Sequence, residues 1–304
     1  MESDANAHNR YTHFSFVILH YLDDKETSRC IRSILDIAKA DSKHTYSLIV
    51  VDNHSNNGST ERLKQQFLNN NSITFIDNPE NMGFSRGNNI GYQYALDHCT
   101  PDFVVVLNND TFIEQHNFAQ CCENSFVQNS PYIIGPDIFF TSTKTHKNPD
   151  SLVPTNAQAI IGYMNAIDHP SRKHRLRLLI EKIPFVKDKI DSHTLAQDRA
   201  KHANWDQPAI NPQFQGSVLI FTPLFVSTKE LPFIPETFLY YEEIILAERC
   251  RKNHWKTYYD PNIHVFHESA ASTRMSLGSS DIQTFRTIQQ RKAMDIALRY
   301  FQSE

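Results

Sequence analysis

Short apolar runs and amphipathic segments alternate along the first 130 residues of the chain. The run FSFVILHYL at residues 14–22 is rich in β-forming residues and predicts a strand. The segment at residues 26–40 predicts a helix, because its apolar residues recur with the spacing of one helical face. Together the two segments indicate one β-α unit.

The same alternation continues after this unit. Three further apolar runs predict strands at residues 46–52, 72–77 and 102–110. Helices are predicted at residues 60–68, with Ser59 as the N-cap, at 90–98 and at 114–128. Because the strands are continuous apolar runs separated by helices, we predict an α/β fold whose mostly parallel central sheet is covered by helices on both faces.

Two more helices are predicted in the C-terminal third of the chain. The adjacent carboxylates Glu242 and Glu243 begin a helix whose buried face carries Leu246 and Cys250. Residues 280–301 predict a long helix, which either covers the sheet or forms dimer contacts.

Polar side chains follow the predicted strands at the points where the strands end. Asp52 ends the second strand, residues 81–89 follow the third, and Asn108, Asn109 and Asp110 end the fourth. Ligands of parallel α/β sheets bind beyond the carboxyl ends of the strands. The sequence therefore predicts one cleft at this edge of the sheet.

Three of the eight glycines in the chain, Gly83, Gly87 and Gly91, lie within nine residues of each other. We expect Gly83 to permit a tight turn or a positive φ after the third strand. Gly87 and Gly91 share one helical face, so either a ligand phosphate or ribose approaches there, or the helix packs closely on the sheet. The segment is neither a GxGxxG fingerprint nor a Walker loop.

Composition narrows the class of protein. A chain of 304 residues with 40% hydrophobic residues can bury a large core, and we expect one large domain or one and a half. The formal net charge of -4 argues against a nucleic acid as the main partner. The N-terminus lacks the pattern of a secretory signal, and five cysteines without CxxC spacing indicate no disulfide framework. We therefore expect a cytoplasmic protein.

Four motifs in order carry a resemblance to a known family. They are IVVDNHSNNGS, NPENMGFSRGNNIGYQYAL, FVVVLNNDT and FLYYEEIILAERCRKNHWKTYYDPNIHVFHESAAST. In order and spacing they resemble the inverting nucleotide-sugar glycosyltransferases of family 2, especially the bacterial rhamnosyltransferase- and galactofuranosyltransferase-like branch. The resemblance covers residues 14–140 and 213–275.

The resemblance implies a GT-A fold in which a nucleotide-binding half is fused to an acceptor-binding half. The implied segments are a flexible tail (1–12), a GT-A domain (13–275) and a C-terminal helical segment (276–304). Within the domain, the implied parts are the nucleotide-binding half (13–140), a variable insert without family motifs (141–212) and the acceptor and catalytic half (213–275).

The resemblance also implies the residues that bind the nucleotide sugar. Asp52 would read the nucleotide base at the end of the second strand. The loop that lines the nucleotide would include Asn81, Gly83, Arg86 and Asn89. Asn108 would face the ribose or the diphosphate, with Asn109 beside it. An amide at position 108 brings no charge, which is a departure from the acidic motif of the family.

A divalent metal, Mn²⁺ or Mg²⁺, is implied as the cofactor. Asp110 stands at the position of the metal-binding carboxylate, and the family pattern favours His267 over His264 as a second ligand. Carboxylate and imidazole together suit Mn²⁺ somewhat better than Mg²⁺. The alternatives are that Asp110 caps the next helix and that His267 is a surface or packing residue.

Glu243 is the expected general base, which takes the proton of the acceptor hydroxyl while that oxygen attacks the anomeric carbon. Glu242 would orient the acceptor or the base. Inversion requires one base and no covalent intermediate, unlike a retaining glycosidase pair. The alternative is that both carboxylates only favour the first turn of the helix. Ile245 departs from the Asp of many relatives, so no acceptor contact is carried over there.

The sequence therefore predicts a metal-dependent inverting glycosyltransferase that acts in bacterial surface polysaccharide or lipopolysaccharide biosynthesis. The expected donor is a UDP- or dTDP-linked sugar, and the expected acceptor is a glycan or a lipid-linked glycan. Residues 171–189 form a basic amphipathic segment, which either contacts the inner face of the plasma membrane or is the solvated face of an ordinary helix.

Two other functions are alternatives to sugar transfer. A sugar nucleotidyltransferase normally has a glycine-rich phosphate loop after the first strand, and the sequence LHYLDDKETS has no glycine there. A catalytically weakened nucleotide-sugar-binding protein is suggested by Asn108 and Ile245. The set of Asp110, His267 and Glu243 argues against that second alternative.

Overall fold

The computed structural model describes residues 12–150, 156–169, 194–268 and 279–303. The predicted tail lies outside these residues except for Thr12, which begins the first strand. The basic segment 171–189, with its predicted membrane contact, also lies outside the described residues. Within the described ranges, no helix is long and apolar enough to cross a membrane.

The N-terminal half of the central sheet is parallel, as the alternation of strands and helices predicts. Its spatial order is β3-β2-β1-β4, and every neighbouring pair in this part runs parallel. The four strands are β1 (Thr12–His20), β2 (His44–Asp52), β3 (Ile73–Asp77) and β4 (Phe103–Asn108). The helices between and after them are α1 (Asp24–Ala40), α2 (Ser59–Gln66), α3 (Gly83–His98) and α4 (Phe118–Asn129).

Two helix starts differ from the sequence prediction. The N-cap of α2 is Gly58, whose φ of +73° allows the turn into the helix, so the prediction of Ser59 as the cap is wrong. Ser59 is instead the first helical residue, and its hydroxyl lies 2.9 Å from Nε2 of His20. Helix α3 begins at Gly83 rather than near Ile90, because Asn81 Oδ1 accepts a hydrogen bond from the Gly83 N–H at 3.0 Å.

The other half of the sheet is mixed. Strand β9 (Val218–Phe221) runs antiparallel between β4 and β6 (Ile133–Phe140). Strand β10 (Thr257–His267) lies parallel to β6, and β5 (Thr111–Phe112) pairs antiparallel with β10. The short strands β7 (Thr145–His146) and β8 (Ala209–Ile210) pair with β6 and β10. This arrangement brings the end of β10 beside the residues that follow β4.

The remaining helices lie mostly on the C-terminal side of the chain. They are α5 (Ala157–Asp168), α6 (Pro223–Thr228), α7 (Glu242–Lys252) and α8 (Ser279–Gln302), and residues 194–201 are also helical. Leu246 and Cys250 are buried on α7, as predicted. The long C-terminal helix α8 packs on α5 and α7, around a small apolar cluster that includes Met294 and Ala297.

The core lies on both faces of the sheet because strand residues alternate between them. Phe16 and Ile18 face one helical layer, and Val17 faces the layer that contains α3. A Cβ on Gly87 would lie 2.5 Å from Leu19, and one on Gly91 would lie 2.4 Å from Val17. These two glycines therefore serve the close packing of α3 on the sheet, which was the alternative to a ligand contact.

Candidate active site

Asp110 and His267 are brought together where β5 pairs with β10. His267 lies opposite Thr111 in this ladder, and the Glu268 N–H donates to the Asp110 carbonyl at 2.9 Å. The two side chains are also close to each other, because Oδ1 of Asp110 and Nε2 of His267 are 3.0 Å apart. Both residues are buried, with 7% and 6% exposure, although they are 157 positions apart in sequence.

The imidazole of His267 is buried without a hydrogen-bond partner. Among the described residues, neither of its ring nitrogens has one, because the contact to Asp110 is close but lacks hydrogen-bond geometry. The ring packs against Phe140, with the ring centroids 4.4 Å apart. A buried imidazole nitrogen without a partner, next to a carboxylate, is a set of donor atoms suited to a cation.

The spacing of this pair fits a divalent metal. Two ligand atoms at adjacent positions of an octahedral Mg²⁺ or Mn²⁺, each about 2.1 Å from the ion, are about 3.0 Å apart. The observed separation is 3.0 Å. No group of three or more His, Cys, Asp or Glu residues suited to a metal occurs in the described ranges. A cation here would thus take its other ligands from phosphate oxygens and water.

The two asparagines before Asp110 have different surroundings. The Asn108 N–H donates to the Ser217 carbonyl at 2.8 Å, which fixes the end of β4 to the start of β9. Asn109 is buried and donates from Nδ2 to Oγ1 of Thr27 on α1 at 2.9 Å. The amide of Asn109 is thus used to pack the strand end on a helix, whereas no such contact holds the Asn108 side chain among the described residues.

Asp52 lies at the predicted place, the end of β2. Its carboxylate accepts hydrogen bonds from the Ser55 N–H, at 3.1 and 3.2 Å to its two oxygens, and forms a tight turn. The Asn78 N–H donates to its carbonyl at 2.9 Å. The ends of β2 and β3 therefore lie side by side, as the strand-end argument predicts.

Asn53, which the sequence analysis missed, organises the loop after β3. Its Nδ2 donates to Oδ1 of Asn81 at 2.9 Å, and its Oδ1 accepts from the Met82 N–H at 2.8 Å. Gly83 follows with a φ of +73°, which confirms the expected left-handed conformation. In the sequence, the only indication of this role is that Asn53 directly follows the end of a predicted strand.

The first turns of α3 hold a loop formed by residues 233–238, which we call the anchor loop. Arg86 Nε donates to the Pro235 carbonyl at 2.8 Å. Asn89 donates to the Phe233 carbonyl at 2.7 Å and accepts from the N–H of the same residue at 3.2 Å. A Cβ on Gly83 would lie 2.4 Å from the Phe238 carbonyl oxygen. Three residues expected at the nucleotide thus contact the anchor loop.

The anchor loop leads directly into the two candidate catalytic carboxylates. Tyr240 and Tyr241 have φ values of +77° and +68°, and bulky residues adopt this left-handed conformation only under constraint. Helix α7 then begins at Glu242. Two consecutive strained residues next to a predicted catalytic pair are typical of a functional site.

Glu242 is the more buried of the two carboxylates. It is 6% exposed, and its Oε1 has no hydrogen-bond partner among the described residues. Burial raises the pKa of the Glu242 carboxyl to about 8, and the charge of Glu243 acts in the same direction. Glu242 is therefore mostly protonated at neutral pH.

Glu243 lies close to the end of β4. Its Oε2 is 3.5 Å from the position of a Cβ on Gly216, the residue before Ser217, and Ser217 accepts the N–H of Asn108. Burial raises the pKa of Glu243 to about 7, and the charge of Asp150 acts in the same direction. A carboxylate with this pKa can accept and release a proton near neutral pH.

Asp150 is a second residue that sequence reasoning missed. Its N–H donates to the Gln213 carbonyl at 2.9 Å, and Asn148 Oδ1 accepts from the Gln215 N–H at 2.7 Å. The segment around residue 150 thus runs beside residues 213–215, directly before Gly216, the residue that lies near Glu243. It belongs to the variable insert, where the sequence carries no motif that would have indicated it.

Comparisons with known proteins identify the family and the fold. A family model described as Glycosyl transferase family 2 matches residues 15–185, more than half of the chain. The low-salt glycan biosynthesis hexosyltransferase Agl10 of Haloferax volcanii is 29% identical over 106 residues, which are 35% of this chain and 30% of that protein. The matching region thus spans less than a third of the curated relative.

Solved structures resemble most of the chain. S. aureus TarS has a TM-score of 0.51 at 11% identity, and the match covers 95% of this chain and 70% of that one. The mannosyltransferase PcManGT from Pyrobaculum calidifontis, in complex with GDP-Man and Mn²⁺, has a TM-score of 0.52 at 9% identity with the same coverage. GalNAc-T7 with UDP, GalNAc and Mn²⁺ has a TM-score of 0.51 at 12% identity, covering 87% of this chain and 44% of that one. These likenesses show the fold, an α/β architecture with a mixed central sheet that resembles GT-A glycosyltransferases.

Proposed function

This chain belongs to glycosyltransferase family 2, and from that premise we propose that it transfers a sugar from a nucleotide-diphosphate sugar to a hydroxyl group of a glycan, with inversion at the anomeric carbon. The observation that carries the proposal is the buried pair of Asp110 and His267, 3.0 Å apart, at the same strand end that Glu243 approaches. Breaking a sugar-phosphate bond needs positive charge at the leaving diphosphate and a base at the attacking hydroxyl.

Asp110 and His267 would hold a divalent cation, with Mn²⁺ favoured over Mg²⁺ by the mixed oxygen and nitrogen donors. When bound, such an ion neutralises the negative charge that develops on the leaving diphosphate. The structures of PcManGT and GalNAc-T7, both with Mn²⁺ and nucleotide components, support a cation in this fold.

Glu243 acts as the general base. Its carboxylate accepts the proton of the acceptor hydroxyl while the hydroxyl oxygen forms a bond to the anomeric carbon, and the bond from that carbon to the phosphate oxygen breaks. Because attack and departure occur on opposite faces, the configuration inverts in one step. The pKa of about 7 keeps a large fraction of Glu243 ionised at neutral pH.

Glu242 has a positioning role. With a pKa of about 8, Glu242 is mostly a neutral acid at pH 7. Because it is neutral, it places no second full negative charge beside Glu243. A protonated carboxyl also donates a hydrogen bond, which would orient the acceptor or the base.

The donor would lie across the ends of β2, β3 and β4. We assign Asp52 to the base, Asn81 and Gly83 to the loop beside the nucleotide, and Asn108 to the ribose or diphosphate. Arg86, Asn89 and Asn109 support these residues through the contacts described above. We assign residues 13–140 to the nucleotide-binding half and residues 213–275 to the catalytic half.

The identity of the sugars follows from the family resemblance. We propose a UDP- or dTDP-linked hexose or deoxyhexose as the donor, with the rhamnosyltransferase- and galactofuranosyltransferase-like branch as the nearest functional group. The acceptor would be a surface glycan or its lipid-linked precursor at the cytoplasmic face of the membrane. The relative named for glycan biosynthesis supports this class of product.

Replacing the base tests the proposal directly. Glu243→Gln should lower kcat for diphosphate release by roughly 10²- to 10⁴-fold while the Kd of the donor stays within about twofold, because the base acts on the acceptor. Turnover would be measured with a panel of nucleotide sugars in Mn²⁺.

Asp97→Asn is the matched carboxylate-to-amide control, since Asp97 is exposed near the C-terminal end of α3. It should leave kcat unchanged. Unchanged turnover in Glu243→Gln would reject Glu243 as the base, and donor binding without any turnover in the wild type would indicate a binding-only protein.

A further inference from the structure

Helix α5 of the variable insert packs beside α7, the helix that carries Glu243. Ile160 and Met164 on α5 form one apolar cluster with Ile245 on α7, and Tyr241 packs against the same cluster. Ile245 is two positions after Glu243, and Tyr241 is two positions before it. The insert, which carries no family motif, therefore forms one side of the surroundings of the base.

Tyr163 is the aromatic residue that α5 presents at this place. It lies between Ile160 and Met164 in sequence, but it is 45% exposed while those two are buried. Burial raises the pKa of Tyr241 to about 12, and the charges of Glu243 and Tyr163 act in the same direction. Tyr241 thus lies near both Glu243 and Tyr163.

This combination of groups suits a sugar ring. A half-exposed aromatic face packs against the C–H face of a pyranose, and phenol and carboxylate oxygens hydrogen-bond its hydroxyls. Gly216 also borders Glu243, because a Cβ built on Gly216 would lie 3.5 Å from Oε2. A ring packed on Tyr163 would lie beside the start of α7, which carries this carboxylate.

We infer that Tyr163 is a specificity-determining residue for the acceptor, whose hexopyranose ring packs on the Tyr163 side chain while one of its hydroxyls faces Glu243. The inference rests on the proposed function, because it assigns the acceptor side of that reaction. It places acceptor choice in the insert rather than in the motif-bearing parts of the chain.

The test measures diphosphate release at saturating donor and Mn²⁺ with methyl glucoside, galactoside, mannoside and rhamnoside as acceptor probes. Tyr163→Ala and Tyr163→Leu should both raise the KM of the stimulating glycoside by about tenfold. The KM of the donor should not change. Tyr163→Phe keeps the ring and should stay within about threefold of the wild type.

Gly162→Ala is the matched control on the same helix, because no atom lies within 4 Å of a Cβ built there. It should leave both KM values unchanged, and thermal melting confirms that all variants fold. If Tyr163→Ala retains the wild-type acceptor KM, or if no glycoside stimulates an enzyme that binds and slowly hydrolyses its donor, the inference is overturned and the proposed function stands. If the wild type neither binds nor turns over any donor, the proposed function fails and the inference falls with it.

Discussion

At the scale of single residues, the two adjacent carboxylates Glu242 and Glu243 differ in protonation. Burial shifts the pKa of one to about 8 and of the other to about 7, although both belong to the same turn of α7. The charge of Glu243 contributes to the raised pKa of Glu242, so the pair favours one ionised carboxylate at neutral pH. Only an ionised carboxylate accepts a proton, and we assign this role to Glu243.

This difference predicts the pH dependence of turnover. Because Glu243 must be ionised, its raised pKa makes kcat fall about tenfold per unit as the pH drops below about 7. An unshifted glutamate would keep full activity down to about pH 5. The measurement is kcat for diphosphate release between pH 5 and 9, at saturating donor and Mn²⁺.

Asp150→Asn provides the control for this profile. Since the charge of Asp150 raises the pKa of Glu243, removing that charge should move the acidic limb to lower pH. An acidic limb that stays in place in Asp150→Asn, or one near pH 4.5 in the wild type, would contradict the assigned surroundings of the base.

Sequence reasoning reached some residues of the site and missed others for a physical reason. Asp52, Asn81 and Asp110 were found because each follows a strand end, which is visible as a change from apolar to polar residues. Asn53 and Asp150 were missed because their roles depend on contacts between distant segments. The same limit applies to Asn89, whose partner lies 144 positions away.

At the scale of elements, α3 and the anchor loop couple the two halves of the fold. The contacts of α3 with residues 233–238 fix the segment that leads into the strained Tyr240 and Tyr241 and then into α7. We expect this coupling to set the position of Glu243. Through this coupling, a substitution in α3 should affect the acceptor step.

Substitution of Asn89 separates this account from a direct role in nucleotide binding. Asn89→Ala removes both hydrogen bonds to Phe233 and should lower the free energy of unfolding by about 2 kcal/mol. It should also lower kcat about tenfold through displacement of Glu243, with the donor Kd unchanged. Urea denaturation, calorimetric binding of the donor and steady-state kinetics would measure the three quantities.

Gln93→Ala is the control on the same helix, because Gln93 is exposed and its amide donates a hydrogen bond to Asp97 at 2.9 Å. It should change none of the three quantities appreciably. A loss of donor affinity in Asn89→Ala with unchanged kcat would instead support a contact between Asn89 and the nucleotide.

At the scale of the whole molecule, the parallel half of the sheet was predictable and the mixed half was not. Strands β1 to β4 follow one another along the chain as apolar runs separated by helices, so the local pattern predicts them. Strand β9 comes from far along the chain and inserts antiparallel between β4 and β6. Nothing in its own residues specifies which neighbours it takes.

The small helical cluster also arises from contacts that no local pattern records. Helix α5 of the insert, the start of α7 and the C-terminal α8 share Ile160, Ile245 and Met294. The sequence predicted the last helix and left open what it covers. In the structure it packs beside α7, the helix that begins with Glu242 and Glu243.

The fold brings Asp110 and His267 together from distant parts of the chain. Metal-dependent nucleotide binding tests the proposed role of this pair most directly. Calorimetry would compare the Kd of UDP and of dTDP in Mn²⁺ and in EDTA. The wild type should bind the preferred nucleotide at least about tenfold more tightly with Mn²⁺. His267→Gln should lose that gain. His264→Gln should keep it. His264 lies three positions before His267 in sequence, but it is exposed and its Nδ1 is 3.3 Å from Oδ2 of Asp137. Full Mn²⁺-dependent binding in His267→Gln would contradict the account.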